Sequence, residues 1–96
     1  MIRHTVVFSL HHAPGSAEES SFFEAAFALA TIEGVEKFEQ LRQVSPKSDF
    51  AFGLSMEFAS EVEYEFYNTH PDHVAFVAER WMPEVAEFQE LDFVVR

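Results

Sequence analysis

Phe50-Ala51-Phe52-Gly53-Leu54-Ser55-Met56-Glu57-Phe58-Ala59 is the segment from which the fold is read. Large apolar residues take every second place in it, at 50, 52, 54, 56 and 58. Small or polar residues take the places between. A period of two belongs to a β-strand. Ala51, Gly53 and Ser55 leave the second face open to close approach. Immediately before it, Ser45-Pro46-Lys47-Ser48-Asp49 is rich in turn residues and reads as a hairpin loop. The segment before that loop, 35–45, allows two readings. Val35, Phe38, Leu41 and Val44 fall three apart, as on a helix. Phe38, Gln40, Arg42 and Val44 share one face of an extended chain. We read it as a strand, because the strand over 50–59 needs a neighbour.

Beyond the same strand, Ser60 and Glu63 have the spacing of a capping box and predict a helix, with Val62 and Phe66 as its apolar pair. The residue before Pro71 is biased away from the α region, so this helix ends before His70. Pro71 then opens a further helix from its first position. Val74, Val77, Ala78 and Trp81 are the expected apolar stripe of that helix, and Met82-Pro83 ends or kinks it. Residues 86–95 close the chain as a strand. At the other end, residues 2–10 alternate, with Ile2, His4, Val6, Phe8 and Leu10 on one face. His11-His12-Ala13-Pro14-Gly15 breaks that strand. Ser16 with Glu19 caps a helix whose stripe is Phe22, Phe23, Ala26, Phe27, Leu29 and Ala30, and Gly34 is its expected stop. The order is β-α-β-β-α(α)-β. It predicts an α+β, ferredoxin-like domain: a four-stranded antiparallel sheet with helices on one face. The strands also carry apolar residues on the uncovered face, which predicts dimerisation sheet on sheet.

Composition agrees with one domain spanning residues 1–96. A chain of 96 residues with 48% apolar content can build one modest core. Twelve phenylalanines are a heavy load for that core, so part of the apolar surface is expected to meet a second subunit. Seventeen acidic residues against six basic ones give a net charge of −11. This disfavours nucleic acid and anionic membranes as partners, since both select clustered Lys and Arg. With no cysteine there is no disulfide, thiolate metal site or Cys nucleophile, and a reducing cytoplasm is the expected location. No apolar run approaches the roughly 20 residues that span a bilayer.

Chemistry concentrates in Tyr67-Asn68-Thr69-His70-Pro71-Asp72-His73, at the break between the two later helices. With Pro71 as the first helical residue, His73 is the third. The positive end of a helix disfavours imidazolium, so His73 is expected to be neutral near pH 7. A neutral imidazole can accept a proton from the carbon between two carbonyls, and Tyr67 can hydrogen-bond the oxygen where enolate charge develops. The plain alternative is that His73 caps its own helix and the Tyr67 hydroxyl rests on backbone. His70 reads as an N-cap or a loop side chain. His70, Asp72 and His73 lack the further ligands that a metal site needs, so no metal and no cofactor are expected. His4 reads as a satisfied core histidine unless a cleft reaches it. His11 and His12 are expected to be exposed, and Arg80 to be helix surface beside Trp81. The acidic run Glu57–Glu65 reads as a solvated helix face.

His4-Thr5-Val6-Val7-Phe8, Phe52-Gly53-Leu54-Ser55-Met56-Glu57-Phe58, and Tyr67 with His70-Pro71-Asp72-His73 resemble the dimeric α/β-barrel stress-responsive (Dabb) family over essentially the whole chain. The His-Pro-x-His block is the most specific part. The resemblance implies a ferredoxin-like monomer and a homodimer whose sheets close into a barrel. One plant member closes a linear polyketide by intramolecular aldol condensation. Its catalytic His and Tyr match His73 and Tyr67, and its N-terminal strand histidine matches His4. A pocket histidine of that cyclase falls at Phe52 here, a departure that speaks against the same reaction. On these grounds His73 and Tyr67 are the expected catalytic pair, and His4, Phe52 and His70 the expected ligand-binding positions. The expected function is that of a Dabb protein of unassigned activity with an apolar cleft for a small molecule. The alternatives are a cofactor-independent cyclase or lyase acting on a carbonyl compound, and an antibiotic-biosynthesis-type monooxygenase acting on an activated aromatic.

Overall fold

The computed structural model describes residues 1–96. Four strands form one antiparallel sheet: β1 (Ile2–Leu10), β2 (Glu36–Arg42), β3 (Phe52–Phe58) and β4 (Val85–Phe93), in the spatial order β2-β3-β1-β4. Three helices lie between them: α1 (Ala17–Phe27), α2 (Glu61–Thr69) and α3 (Pro71–Phe76). The last of these continues through a π-helical turn, Val77–Trp81, and a final turn, Met82–Glu84. No helix is long and apolar enough to cross a membrane.

The alternation of β3 performs as its sequence promises. Phe52, Leu54, Met56 and Phe58 are all buried under the helices. The register sets β1 against β3 with His4 opposite Met56, Val6 opposite Leu54 and Phe8 opposite Phe52. Residues directly opposite in an antiparallel pair share a face, so His4, Val6 and Phe8 join the core side. Phe8 is its centre, fully buried, with ring centroids 5.0 Å from Trp81 and 5.7 Å from Phe22. On the opposite face of the sheet Val7 is partly covered, while Leu41, Leu91 and Phe93 are exposed, the last at 52%.

Helix starts follow the expected chemistry. Ser16 accepts the Glu19 amide at 3.2 Å, and the Glu19 carboxylate reaches back to the Gly15 amide at 2.7 Å. Ser60 caps α2 by accepting the Val62 amide, and its hydroxyl also binds the Glu63 carboxylate. Pro71 stands at the start of α3, and the His70 ring accepts the Asp72 amide at 3.1 Å.

Several local expectations change. The first helix ends in a 3₁₀ turn at Ala28–Thr31, before Gly34; Gly34 instead takes φ +94° in the turn that leads to β2. Val62 and Phe66 do not face inward, and both are exposed. The inward side of α2 is aromatic: Tyr64 stacks on Phe58 at 4.9 Å and Tyr67 packs on it at 5.2 Å. Larger aromatic area burial decides that rotation. In the third helix Phe76 turns inward beside Trp81, while Val74 and Ala78 face solvent. Glu57 does not belong to a solvated run: it is buried on the outer sheet face, bonded to Arg3 at 3.0 Å and near Lys37 at 3.6 Å. Strand register makes this pairing, since Arg3 sits opposite Glu57. His12 is half-buried and binds Glu84 at 2.7 Å. Arg80 also turns to Glu84, at 2.5 Å, and to Ser21, at 3.1 Å, tying α1 to the chain that enters β4.

Candidate active site

Tyr67 and His73 come together because the break at His70-Pro71 turns the chain between α2 and α3. Their ring centroids lie 4.3 Å apart. The His73 Nδ1 is 3.1 Å from the Asn68 carbonyl oxygen. A carbonyl can only accept, so Nδ1 carries the proton and Nε2 keeps its lone pair. Burial is the largest influence on this ring and lowers its pKa from the ordinary imidazole value; the nearby His4 and His70 push the same way, while the Asn68 carbonyl and Glu90 oppose. Desolvation disfavours the charged form, so His73 is held as a neutral base.

Tyr67 is only 3% exposed, and its phenol pKa is raised, first by burial and then by the charge of Glu90. The group therefore remains a proton donor throughout the neutral range. Its hydroxyl has no partner within the chain. Every fully occluded polar side-chain atom in the protein is hydrogen-bonded, so the Tyr67 hydroxyl must open onto the space it borders.

That space is a cavity of about 240 Å³ between the helices and the sheet. His4, Tyr67, His73 and Glu90 supply its reactive groups, and Leu54, Met56, Phe76 and Trp81 are among its apolar walls. The β1 strand brings His4 in from the other side. Its Nδ1 is 2.6 Å from Asp92 Oδ1, and the Tyr64 hydroxyl donates to Asp92 Oδ2 at 2.9 Å. The carboxylate fixes the proton on Nδ1 and leaves Nε2 as the free nitrogen of the ring. By the same argument from occlusion, that nitrogen also meets open space. The cavity thus brings two imidazoles and one phenol together among apolar walls, with the carboxylate of the exposed Glu90 at its β4 rim. Such a set can remove a proton from carbon, hold an oxyanion and return the proton elsewhere.

Two of the expected ligand positions lie outside this cavity. The ring of His70 is spent on capping α3 and packs edge-on against Phe66 at 5.6 Å. Phe52 is four residues along β3 from the Met56 that faces His4, a separation of about 13 Å at strand rise. There it packs against Phe23 at 4.9 Å, beneath the Arg42 guanidinium. Sequence reasoning missed Glu90, Asp92 and Tyr64. A signal existed in the row Phe88, Glu90, Asp92, whose alternation places two acids on one face of a strand. No group of three or more His, Asp or Glu side chains is arranged to hold a metal ion. A larger, open depression of about 1320 Å³ runs along α2 past Phe66, Phe93 and Val94. It is a surface groove whose polar pair, Tyr64 and Asp92, is bonded to itself and to His4, and the smaller, less open cavity is the better site.

An antiparallel β2-β3-β1-β4 sheet, helices on one face, and a small cavity between the layers with a histidine from the first strand and a Tyr-His pair from the helix break define a ferredoxin-like α+β protein of the dimeric-barrel kind. The chain belongs to the stress responsive A/B barrel domain family, Dabb, whose sequence profile matches residues 2–95. A crystal structure of a Dabb family protein with a ferredoxin-like fold from Mesorhizobium loti is 58% identical, with a TM-score of 0.97 over 99% of this chain and 96% of that one. A dimeric protein of unknown function and ferredoxin-like fold from Bacteroides fragilis is 27% identical, with a TM-score of 0.75 over 98% and 95%. The hydroxynitrile lyase of Passiflora edulis shares 15% identity over 99% and 93%, with a TM-score of 0.86, which is a likeness of fold. No curated protein matches the sequence.

Proposed function

We propose that this Dabb protein is a cytoplasmic homodimer that binds a small carbonyl compound in the cavity between helices and sheet, and that His73 and Tyr67 act on it without a cofactor. One observation carries the reading: Tyr67 and His73, with ring centroids 4.3 Å apart, line the same largely apolar cavity. His73 Nε2 takes a proton from the carbon next to the carbonyl. The electron pair of that C–H bond moves to the carbonyl oxygen, where the Tyr67 hydroxyl donates to the developing enolate. The enolate carbon then attacks a second carbonyl, as in a cyclase; the π pair of that carbonyl moves to its oxygen, which takes back the proton held on His73. Otherwise the enolate carbon itself is reprotonated from His73. His4, held by Asp92, supports the ligand from the strand side. Size limits the ligand: an apolar cavity of about 150 Å³ accepts benzene, so about 240 Å³ suits one substituted ring or a short folded chain.

The likeness to a lyase fold and the polyketide-cyclase match at Tyr67 and His73 support a carbon-acid reaction, while Phe52 stands where that cyclase has a pocket histidine. The substrate is therefore expected to differ from a long polyketide. The homodimer is supported by the exposed apolar outer sheet face and by the dimeric relative. A panel of simple ketones and β-dicarbonyl compounds in deuterated water tests the chemistry, with deuterium incorporation at the α-carbon followed by proton NMR. Wild-type protein should accelerate exchange of an accepted compound, and His73→Ala should lose about 10²–10⁴-fold of that acceleration. Equal exchange by His73→Ala and wild type would remove His73 as the base. Saturable binding with no exchange for any compound would reduce the protein to a binding module.

A further inference from the structure

We infer that Glu90 sets the charge the cavity admits: the ligand presents an ammonium or hydroxyl donor to the β4 wall, and compounds ending in a carboxylate are turned away. The inference rests on the cavity being a ligand site, and does not depend on catalysis there. Glu90 sits opposite Val6 in the β1–β4 register. Val6 is a core residue beneath the helices, so Glu90 shares its face, in the row Phe88, Glu90, Asp92. The other two members of that row are occupied. Phe88 packs edge-on against Trp81 at 5.5 Å, and Asp92 binds His4 and Tyr64. Glu90 is exposed at the rim of the cavity and makes no ion pair and no side-chain hydrogen bond within the chain.

The surroundings of this carboxylate are one-sided. None of the six lysines and arginines lines the cavity, and the whole chain carries a net charge of −11. The charge of Glu90 reaches both reactive groups, opposing loss of the Tyr67 proton and favouring a proton on His73. A second anion brought beside Glu90 at this rim would add like-charge repulsion, softened by solvent, with no cation to offset it. A ligand with a donor at this wall supplies the partner that the protein leaves out, and hydrogen bonds to charged groups are the stronger kind. In the proposed reaction this selects a carbonyl compound whose far end is an amine or alcohol.

The test uses the full chain and three probes of one shape: benzylamine, benzyl alcohol and benzoate. Trp81, the single tryptophan, lines the cavity and reports occupancy by its fluorescence. Wild-type protein should bind the amine roughly tenfold more tightly than benzoate, with the alcohol between, a contrast scaled to a partly exposed charge. Glu90→Gln should erase the preference for amine over benzoate. Glu87→Gln makes the same change in net charge on the outer face of β4, opposite Ser9, and should leave the preference in place. Benzoate bound as tightly as benzylamine by wild type, or a preference that survives Glu90→Gln, would overturn the role of Glu90 and leave the cavity's function standing. A chain whose Trp81 responds saturably to none of the three would overturn the role of Glu90 together with the ligand site itself.

Discussion

At the scale of residues, His73 shows how position and burial act in the same direction. Its place at the start of α3 disfavours a positive charge, and burial lowers its pKa further. Two expectations follow from the sign of that shift. The acid limb of any activity that uses His73 as base should have its midpoint below the ordinary imidazole value of about 6.5, read from kcat/KM against pH. Stability should respond in the same range. The unfolded chain, whose imidazole has the higher pKa, takes up the proton first as pH falls. Folding is therefore penalised progressively between about pH 6.5 and the lower folded value. Urea midpoints measured across that window should fall for wild type and fall less for His73→Gln. Tyr67→Phe should leave the fold intact, since the hydroxyl has no partner to lose, while lowering turnover of a bound substrate. The pairing of Tyr67 with His73 was legible in the sequence, because only five residues, one of them Pro71, separate them. The roles of Asp92 and Glu90 were not, because each depends on which residue of β1 lies opposite.

At the scale of elements, caps and breaks are the most dependable features. Ser16, Ser60 and Pro71 each stand where their chemistry predicts. Ser16→Ala should cost about 1 kcal/mol of unfolding free energy, measured by urea titration. The serine accepts an amide that would otherwise be orphaned, and its partner Glu19 is buried. Gly34→Ala should also destabilise, since φ is +94° and an added Cβ would stand 3.2 Å from the Glu63 Cβ. Helix faces were less legible. Val62 with Phe66, and Val74 with Ala78, have sound helical spacing, but Tyr64, Tyr67, His73 and Phe76 offer more area to the sheet. A short helix with apolar residues on two sides is oriented by the surface it meets, which periodicity alone does not contain.

At the scale of the molecule, one sheet face is covered by helices and the other is open. Val7, Leu41, Leu91 and Phe93 on the open side are the surface expected to bury against a second copy, around the Arg3–Glu57–Lys37 ion group. Leu91→Glu combined with Phe93→Glu should shift sedimentation from dimer to monomer. An unchanged sedimentation coefficient would move the interface elsewhere. In the core, Phe8→Ala should cost about 3–5 kcal/mol and broaden the unfolding transition, because the ring is surrounded by Phe22, Phe52 and Trp81 and the void cannot collapse.

The amino-acid sequence by itself determined the order of elements, a strand over 50–59 that the structure narrows to 52–58, the capped helix starts, the break at Pro71 and the nearness of Tyr67 to His73. Apart from the strand over 35–45, read from its neighbour's need of a partner, these rest on interactions within a few residues of one another, where spacing and side-chain chemistry suffice. Only the tertiary structure decided that His4 is held by Asp92 across 88 residues, that Glu90 faces the cavity, and that Phe52 and His70 stand outside it. Those outcomes follow from strand register and helix rotation. Both are set by the packing of the whole core, and a one-residue slip in the register would send Glu90 to the opposite face.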